Sequence, residues 1–197
     1  MESLLLPGIY EKLFQKLVEF NREDEEQFQR DCDVLRSGNL DCFGLDADID
    51  TCTFSESYEV LKSVNEAKTP WEKLSVITKL SSAIDGELKR HLQGVNGERA
   101  EKWSMSADLY FPVLTKFIAL QRVPNLIASM TYITEFSLCP MSSSEQKYHF
   151  INILATVQSI EKHAQESRQG PVGVVPAPPL YQLPANDQAI SFSDDDS

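Results

Sequence analysis

From Thr69 to Leu92 the residues Leu74, Ile77, Ser81, Ile84, Leu88 and Leu92 recur every three or four positions, and all but Ser81 are apolar. That period fits an α-helix of 3.6 residues per turn and conflicts with the two-residue alternation of a strand. The start signals agree: Thr69 is a suitable N-cap, Pro70 fits the first helical position, and Glu72 falls in the first turn. A helix this long must cover its apolar stripe with other elements, and the rest of the chain supplies more helices. Gly94-Val95-Asn96-Gly97 interrupts the pattern and predicts a surface loop.

Upstream, Tyr10, Leu13, Phe14, Leu17 and Val18 share helical spacing. A break at Asn21-Arg22 precedes Glu23 to Glu26, carboxylates that favour the first turn of a second helix. Phe28, Cys32 and Leu35 carry that helix to Ser37-Gly38-Asn39, and a third is expected over Ser55–Ala67. Downstream, Ser106 caps a segment through Leu109, Phe111, Val113, Leu114, Phe117 and Ile118 that is apolar nearly all round, so it belongs at the centre. A helix after Pro124 places Tyr132, Ile133 and Phe136 in the core, and a last one begins near Ser143-Ser144-Glu145. No alternating run is long enough for a sheet. The fold class is therefore all-α, a layered helical bundle. Residues 1–66 form an acidic helical lead-in, 67–166 the core, and 167–197 a disordered, Pro-rich, acidic C-terminal tail.

Charge follows the same division. Residues 1–66 hold 6 Lys/Arg against 16 Asp/Glu, a net of −10, while residues 67–168 hold 12 against 10, a net of +2. Binding nucleic acid requires clustered cations, and no basic stripe is present, so that class is excluded. Nothing resembles a signal peptide or the ~20 apolar residues of a membrane helix. Cys32, Cys42, Cys52 and Cys139 show no close C-x-x-C pairing and read as reduced thiols of a cytoplasmic protein.

Chemical motifs are mostly excluded in the same way. Asp46, Asp48 and Asp50 imitate the start of a calcium loop, but Thr51 stands where the turn needs Gly and Ser57 where a bidentate Glu belongs. The expectation is a solvated acidic loop. His91, His149 and His163 lack zinc-ligand spacing to the cysteines, and no phosphate-cradling glycine loop exists. No metal, nucleotide or cofactor site is expected.

Three stretches do form a constellation: Ala107-Asp108-Leu109-Tyr110-Phe111-Pro112-Val113-Leu114, Tyr132-Ile133-Thr134-Glu135-Phe136, and Glu145 through Tyr148 to Asn152-Ile153. Their order and spacing resemble the vacuolar-protein-sorting-nine (VPS-nine) domain family, whose pattern joins A-D-x-x-x-P-V-L, Y-I-x-x-F and E-x-x-Y-x-x-x-N-L. Pro70-Trp71-Glu72-Lys73-Leu74 resembles that family's P-x-x-K-L helix start. The resemblance covers roughly residues 3–165 and is weak over the first fifty. It implies a helical domain that speeds GDP release from Rab-family small GTPases of the Rab-five subfamily, in a cytoplasmic, peripherally endosomal protein. It further implies that Asp108 reaches into the GTPase's nucleotide site, that Tyr148 holds the switch region aside, and that Pro112, Ser129, Ile151 and Asn152 shape the GTPase-binding surface. Leu109, Ser129 and Ile151 depart from residues usual in the family, which also admits a catalytically weak module that binds a GTPase or scaffold. From the residues alone, Asp108 reads first as a helix-dipole carboxylate and Tyr148 first as a core aromatic, and the family spacing is what turns both toward function.

In the tail, Pro176, Pro178, Pro179 and Pro184 flank Leu180-Tyr181, a composition suited to a reader of Pro-rich motifs. Ser191 and Ser193 precede Asp194-Asp195-Asp196, a context for acidophilic kinases.

Overall fold

The computed structural model describes residues 2–38, 43–137 and 144–169, and the expectations for the Pro-rich tail, its serines, Cys42 and Cys139 lie outside them. Among the described residues there are helices and no strands. The helices are α1 (Glu2–Phe20), α2 (Arg22–Ser37), α3 (Ala47–Asp50), α4 (Ser55–Lys62), α5 (Pro70–Val95), α6 (Gly97–Glu101), α7 (Ala107–Leu120), α8 (Leu126–Phe136) and α9 (Ser144–Gln169). Among these no helix is long and apolar enough to cross a membrane.

The two 26-residue helices, α5 and α9, pack on each other and organise the rest. At 1.5 Å per residue each runs about 39 Å. On α5 lie α3, α4, α6 and α8; on α9 lie α2 and α7; α1 packs mainly on α8. As its composition predicts, α7 is central: Tyr110 and the whole run from Val113 to Ala119 are buried. The lead-in is not a separate layer of surface helices. Phe28, Cys32 and Leu35 of α2, with Phe54, Leu61 and Val64, share one core with α5, α7 and α9. Burial pushes the Cys32 thiol up to about 12, so it stays protonated.

Polar anchors fix the helix ends. At Thr69 a full capping box forms: its hydroxyl accepts from Glu72 N at 3.1 Å, and the Glu72 carboxylate accepts from Thr69 N at 3.0 Å. Other caps come from distant residues. Glu25 of α2 accepts from Ile127 N at 2.9 Å at the start of α8, whose N-cap Asn125 offers no side-chain bond. Glu87 of α5 accepts from Glu56 N, Ser57 N and Ser57 Oγ at the start of α4. Arg168, in the last turn of α9, donates to the buried Asp31 at 2.5 Å and ties that turn to α2. The final helix thus continues through 167–169, three residues past the expected boundary.

Three local expectations are corrected. Gly94 and Val95 remain helical, so the break before α6 is Asn96 alone, whose N–H still donates to Leu92 O. The third predicted helix stops as α-helix at Lys62 and tightens into a 3₁₀ turn at Ser63–Asn65. The Asp46–Asp50 segment is not a solvated loop. It forms α3, with Ile49 fully buried and Asp50 paired to Lys116 of α7, itself 2% exposed. An ammonium buried in the core must be compensated, and here the acidic segment provides a carboxylate.

Lys73 solves the same problem differently. It is wholly buried in α5, and its Nζ donates to Val64 O at 2.6 Å and to Ser129 Oγ at 3.4 Å. The rings of Phe14, Tyr10 and Tyr132 surround it at 4.4, 5.5 and 5.9 Å, a cation–π box closed by α1. Desolvation lowers its pKa to about 8, against a smaller opposing pull from Glu72.

Candidate functional site

At its N-terminus, α7 is set by Ser106, whose hydroxyl accepts from Leu109 N at 3.3 Å while its carbonyl accepts from Tyr110 N at 2.9 Å. Asp108 therefore sits in the first helical turn with its carboxylate exposed. Four residues on, Pro112 has no N–H to donate to the Asp108 carbonyl, so the helix ladder is interrupted directly beneath the acid. Pro112 is itself half-buried.

Tyr148 lies in the second turn of α9 and is 44% exposed. Its ring stacks on that of Tyr110, with centroids 6.3 Å apart and planes 26° apart. Both rings meet His149 edge-on, at 5.2 Å from Tyr148 and 5.8 Å from Tyr110. The Tyr110 hydroxyl lies 3.5 Å from His149 Nδ1, and Ser81 of α5 lines the groove beside it. Burial raises the Tyr110 pKa to about 12 and lowers that of His149, an effect Glu145 partly offsets.

These residues border a groove between α5, the segment entering α7, and α9. Ser81, Asp85, Met105, Ala107, Tyr110 and Tyr148 line it, and Trp103 Nε1 donates to Asp85 Oδ1 at 2.9 Å within the same wall. Asp108 follows Ala107 directly. An exposed phenol thus borders a depression whose wall ends one residue before an exposed acid, 40 positions earlier in sequence. Such a surface can offer charge and a hydrogen-bonding ring to a partner.

The remaining expected contact residues divide. Ile151 and Asn152 are half-buried one turn beyond Tyr148, and Asn152 Nδ2 donates back to Tyr148 O at 2.9 Å, bracing the turn that carries the ring. Ser129 requires correction. It is fully buried beneath Lys73 on α8 and has no surface to offer a partner; its hydroxyl serves the lysine box. Sequence reasoning missed Tyr110 and His149, which occupy unspecified positions of the motifs quoted above. One signal pointed to them: Ser81 is a polar break in the apolar stripe of α5, and such a break marks a polar neighbour, here Tyr110, which lines the same groove.

The three histidines each have a local partner: His91 Nε2 lies 3.0 Å from Thr51 Oγ1, His163 Nδ1 2.7 Å from Ser159 O, and His149 is on Tyr110. Among protein families, the one described as the Vacuolar sorting protein 9 (VPS9) domain matches residues 54–165. No curated protein matches the chain.

Proposed function

Because the chain belongs to the VPS9-domain family, the domain of Rab guanine-nucleotide exchange factors, we propose that it accelerates GDP release from Rab-five-subfamily GTPases during endocytic traffic. Asp108 is the group that enters the nucleotide site. A carboxylate there offers the GTPase's phosphate-binding lysine a charge-assisted partner in place of the β-phosphate. It also repels the phosphates and disfavours magnesium, which bridges nucleotide to protein, so both are held more weakly. Tyr148 presents its ring across the groove to hold the switch region away from the nucleotide, while Pro112, Ile151 and Asn152 shape the face around it. The protein works at the endosomal surface as a peripheral component.

The observation that carries this reading is a groove bordered by the exposed Tyr148 ring, itself backed by the buried Tyr110, and by Ala107, the residue before the exposed Asp108. A second reading rests on Leu109 and Ile151, which put hydrocarbon beside the two polar groups: a module that binds a GTPase with little acceleration of exchange. Release of a fluorescent GDP analogue from a panel of Rab GTPases separates the two. The proposal expects acceleration confined to the Rab-five subfamily. Acceleration only on other Rabs would overturn the subfamily assignment, and binding without acceleration would favour the second reading.

A further inference from the structure

We propose that Tyr110 and His149 are positioning residues that seat the Tyr148 ring for its contact with the GTPase. The inference rests on the exchange reading above and adds residues that the shared motifs leave unspecified.

Tyr148 projects from the early turns of α9 with almost half its surface in solvent. An aromatic side chain so exposed would ordinarily sample several rotamers, and ordering it on binding would cost affinity. Here two rings limit that freedom. Tyr110, 4% exposed on α7, lies nearly parallel to Tyr148, so it blocks motion perpendicular to the ring plane. His149, 8% exposed, stands at 72° to Tyr148 and at 80° to Tyr110, so it fills the angle between them. A third helix borders the seat, because Ser81 of α5 lines the same groove wall as Tyr110 and Tyr148. Three helices therefore converge on one exposed phenol. Asn152 Nδ2, bonded to the Tyr148 carbonyl, steadies the backbone beneath it.

Geometry also relates the seat to Asp108. Tyr110 stands two residues after the acid in the same first turns of α7, so the helix that presents the carboxylate also presents the ring that orders Tyr148. A shift of α7 relative to α9 would move both groups together. Catalysis by displacement depends on such preorganisation, since contacts fixed before the encounter need no reordering during it.

The alternative is that Tyr110 merely fills the core. Stimulated GDP release is measured at several exchange-protein concentrations for wild type, Tyr110→Leu, Tyr110→Phe, Tyr148→Ala and the Tyr110→Leu/Tyr148→Ala double variant, on a Rab that the wild type activates. Tyr110→Leu is expected to lower kcat/KM about fivefold, the worth of an aromatic pair, and Tyr110→Phe to recover most of that loss. In the Tyr148→Ala background Tyr110→Leu should have no further effect, because the two act as one unit. An equal loss in both backgrounds, or none in either, would overturn the seat. Should Tyr110→Leu melt below the assay temperature, His149→Leu removes the edge contact from the other side and is held to the same criterion. A second measurement needs no GTPase. In protein carrying ¹³C-labelled tyrosine, the Tyr148 ring resonances should move toward solvent-exposed values in Tyr110→Leu. Resonances that stay in place would overturn the seat even if exchange is robust, whereas a shifted ring with no exchange on any Rab would keep the seat and sink the exchange reading.

Discussion

Two aromatic clusters lie along α5, one at Lys73 and one at Ser81, and they use the same kinds of side chain to different ends. Around Lys73, the rings of Tyr10, Phe14 and Tyr132 close on a buried cation, and Tyr132 is 0% exposed. Beside Ser81, Tyr110 and His149 stack under Tyr148 but leave it 44% exposed. The first cluster satisfies its cation internally: the Lys73 ammonium has a carbonyl, a hydroxyl and three π-faces, and the Tyr132 hydroxyl donates to Lys68 O at 3.1 Å, while the buried Tyr10 hydroxyl has no partner. The second is left open on one side, with an exposed acid next to it. A cluster that completes itself contributes stability; one held rigid yet unfinished is shaped for something outside the chain.

The sharpest way to break this contrast is to truncate one ring from each cluster. Tyr132→Ala should lose about 3–5 kcal/mol of stability in urea denaturation, since it empties a core site against a buried cation. Tyr148→Ala should lose less than about 1 kcal/mol, as expected away from the core. Comparable losses in the two would erase the distinction.

Charge rather than shape is the claim at the groove. Asp108→Asn keeps the volume and removes the charge, and should slow stimulated GDP release on the order of a hundredfold, the usual cost of deleting a preorganised electrostatic group. A rate near wild type would show that the carboxylate is there for the helix dipole.

The closed cluster has a pH signature. The folded-state pKa of Lys73, near 8, lies below its ordinary 10.5, so between these values the unfolded chain binds more protons. Stability contributed by this residue must therefore rise with pH across that window, on the order of 3 kcal/mol in full. Cys32 and Tyr10, whose pKa values are both raised to about 12, act in the opposite direction as pH climbs. Comparing wild type with Lys73→Met cancels those terms. The difference in urea midpoint between the two should move in favour of wild type from pH 7.5 to 10; a difference flat with pH would mean that the lysine is solvated.

A smaller effect belongs to the capping box that starts α5 and directs Lys73 into its box. Thr69→Ala should cost about 1 kcal/mol in thermal unfolding, with GDP release unaffected at assay temperature.

Much of this was legible in the chain because it is local. Thr69-Pro70 with Glu72, Ser106 before Asp108, and the three-four spacing of α5 each fix a helix by short-range chemistry, and each helix begins where those residues place it. The candidate acid and phenol were legible through motif spacing. What escaped was set by distant partners. Ser129 sits in a motif yet is buried, because Lys73, 56 residues earlier, needs its oxygen. Asp50 belongs to an acidic run yet answers Lys116, 66 residues later. Gly94 stays helical although its type favours a break, since the backbone leaves helical geometry only at Asn96, with φ −150° and ψ 87°. Partial burial of Phe136, expected in the core, follows from its place in the last turn of α8.

The most direct test takes one set of samples through two readings, stimulated release of a fluorescent GDP analogue from a Rab-five-subfamily GTPase and thermal unfolding. Wild type, Asp108→Ala and Tyr148→Ala are compared side by side. The groove account predicts acceleration by wild type, its loss in both variants, and melting temperatures within a few degrees of one another. Acceleration that survives both substitutions, or a loss that merely follows unfolding, would contradict it.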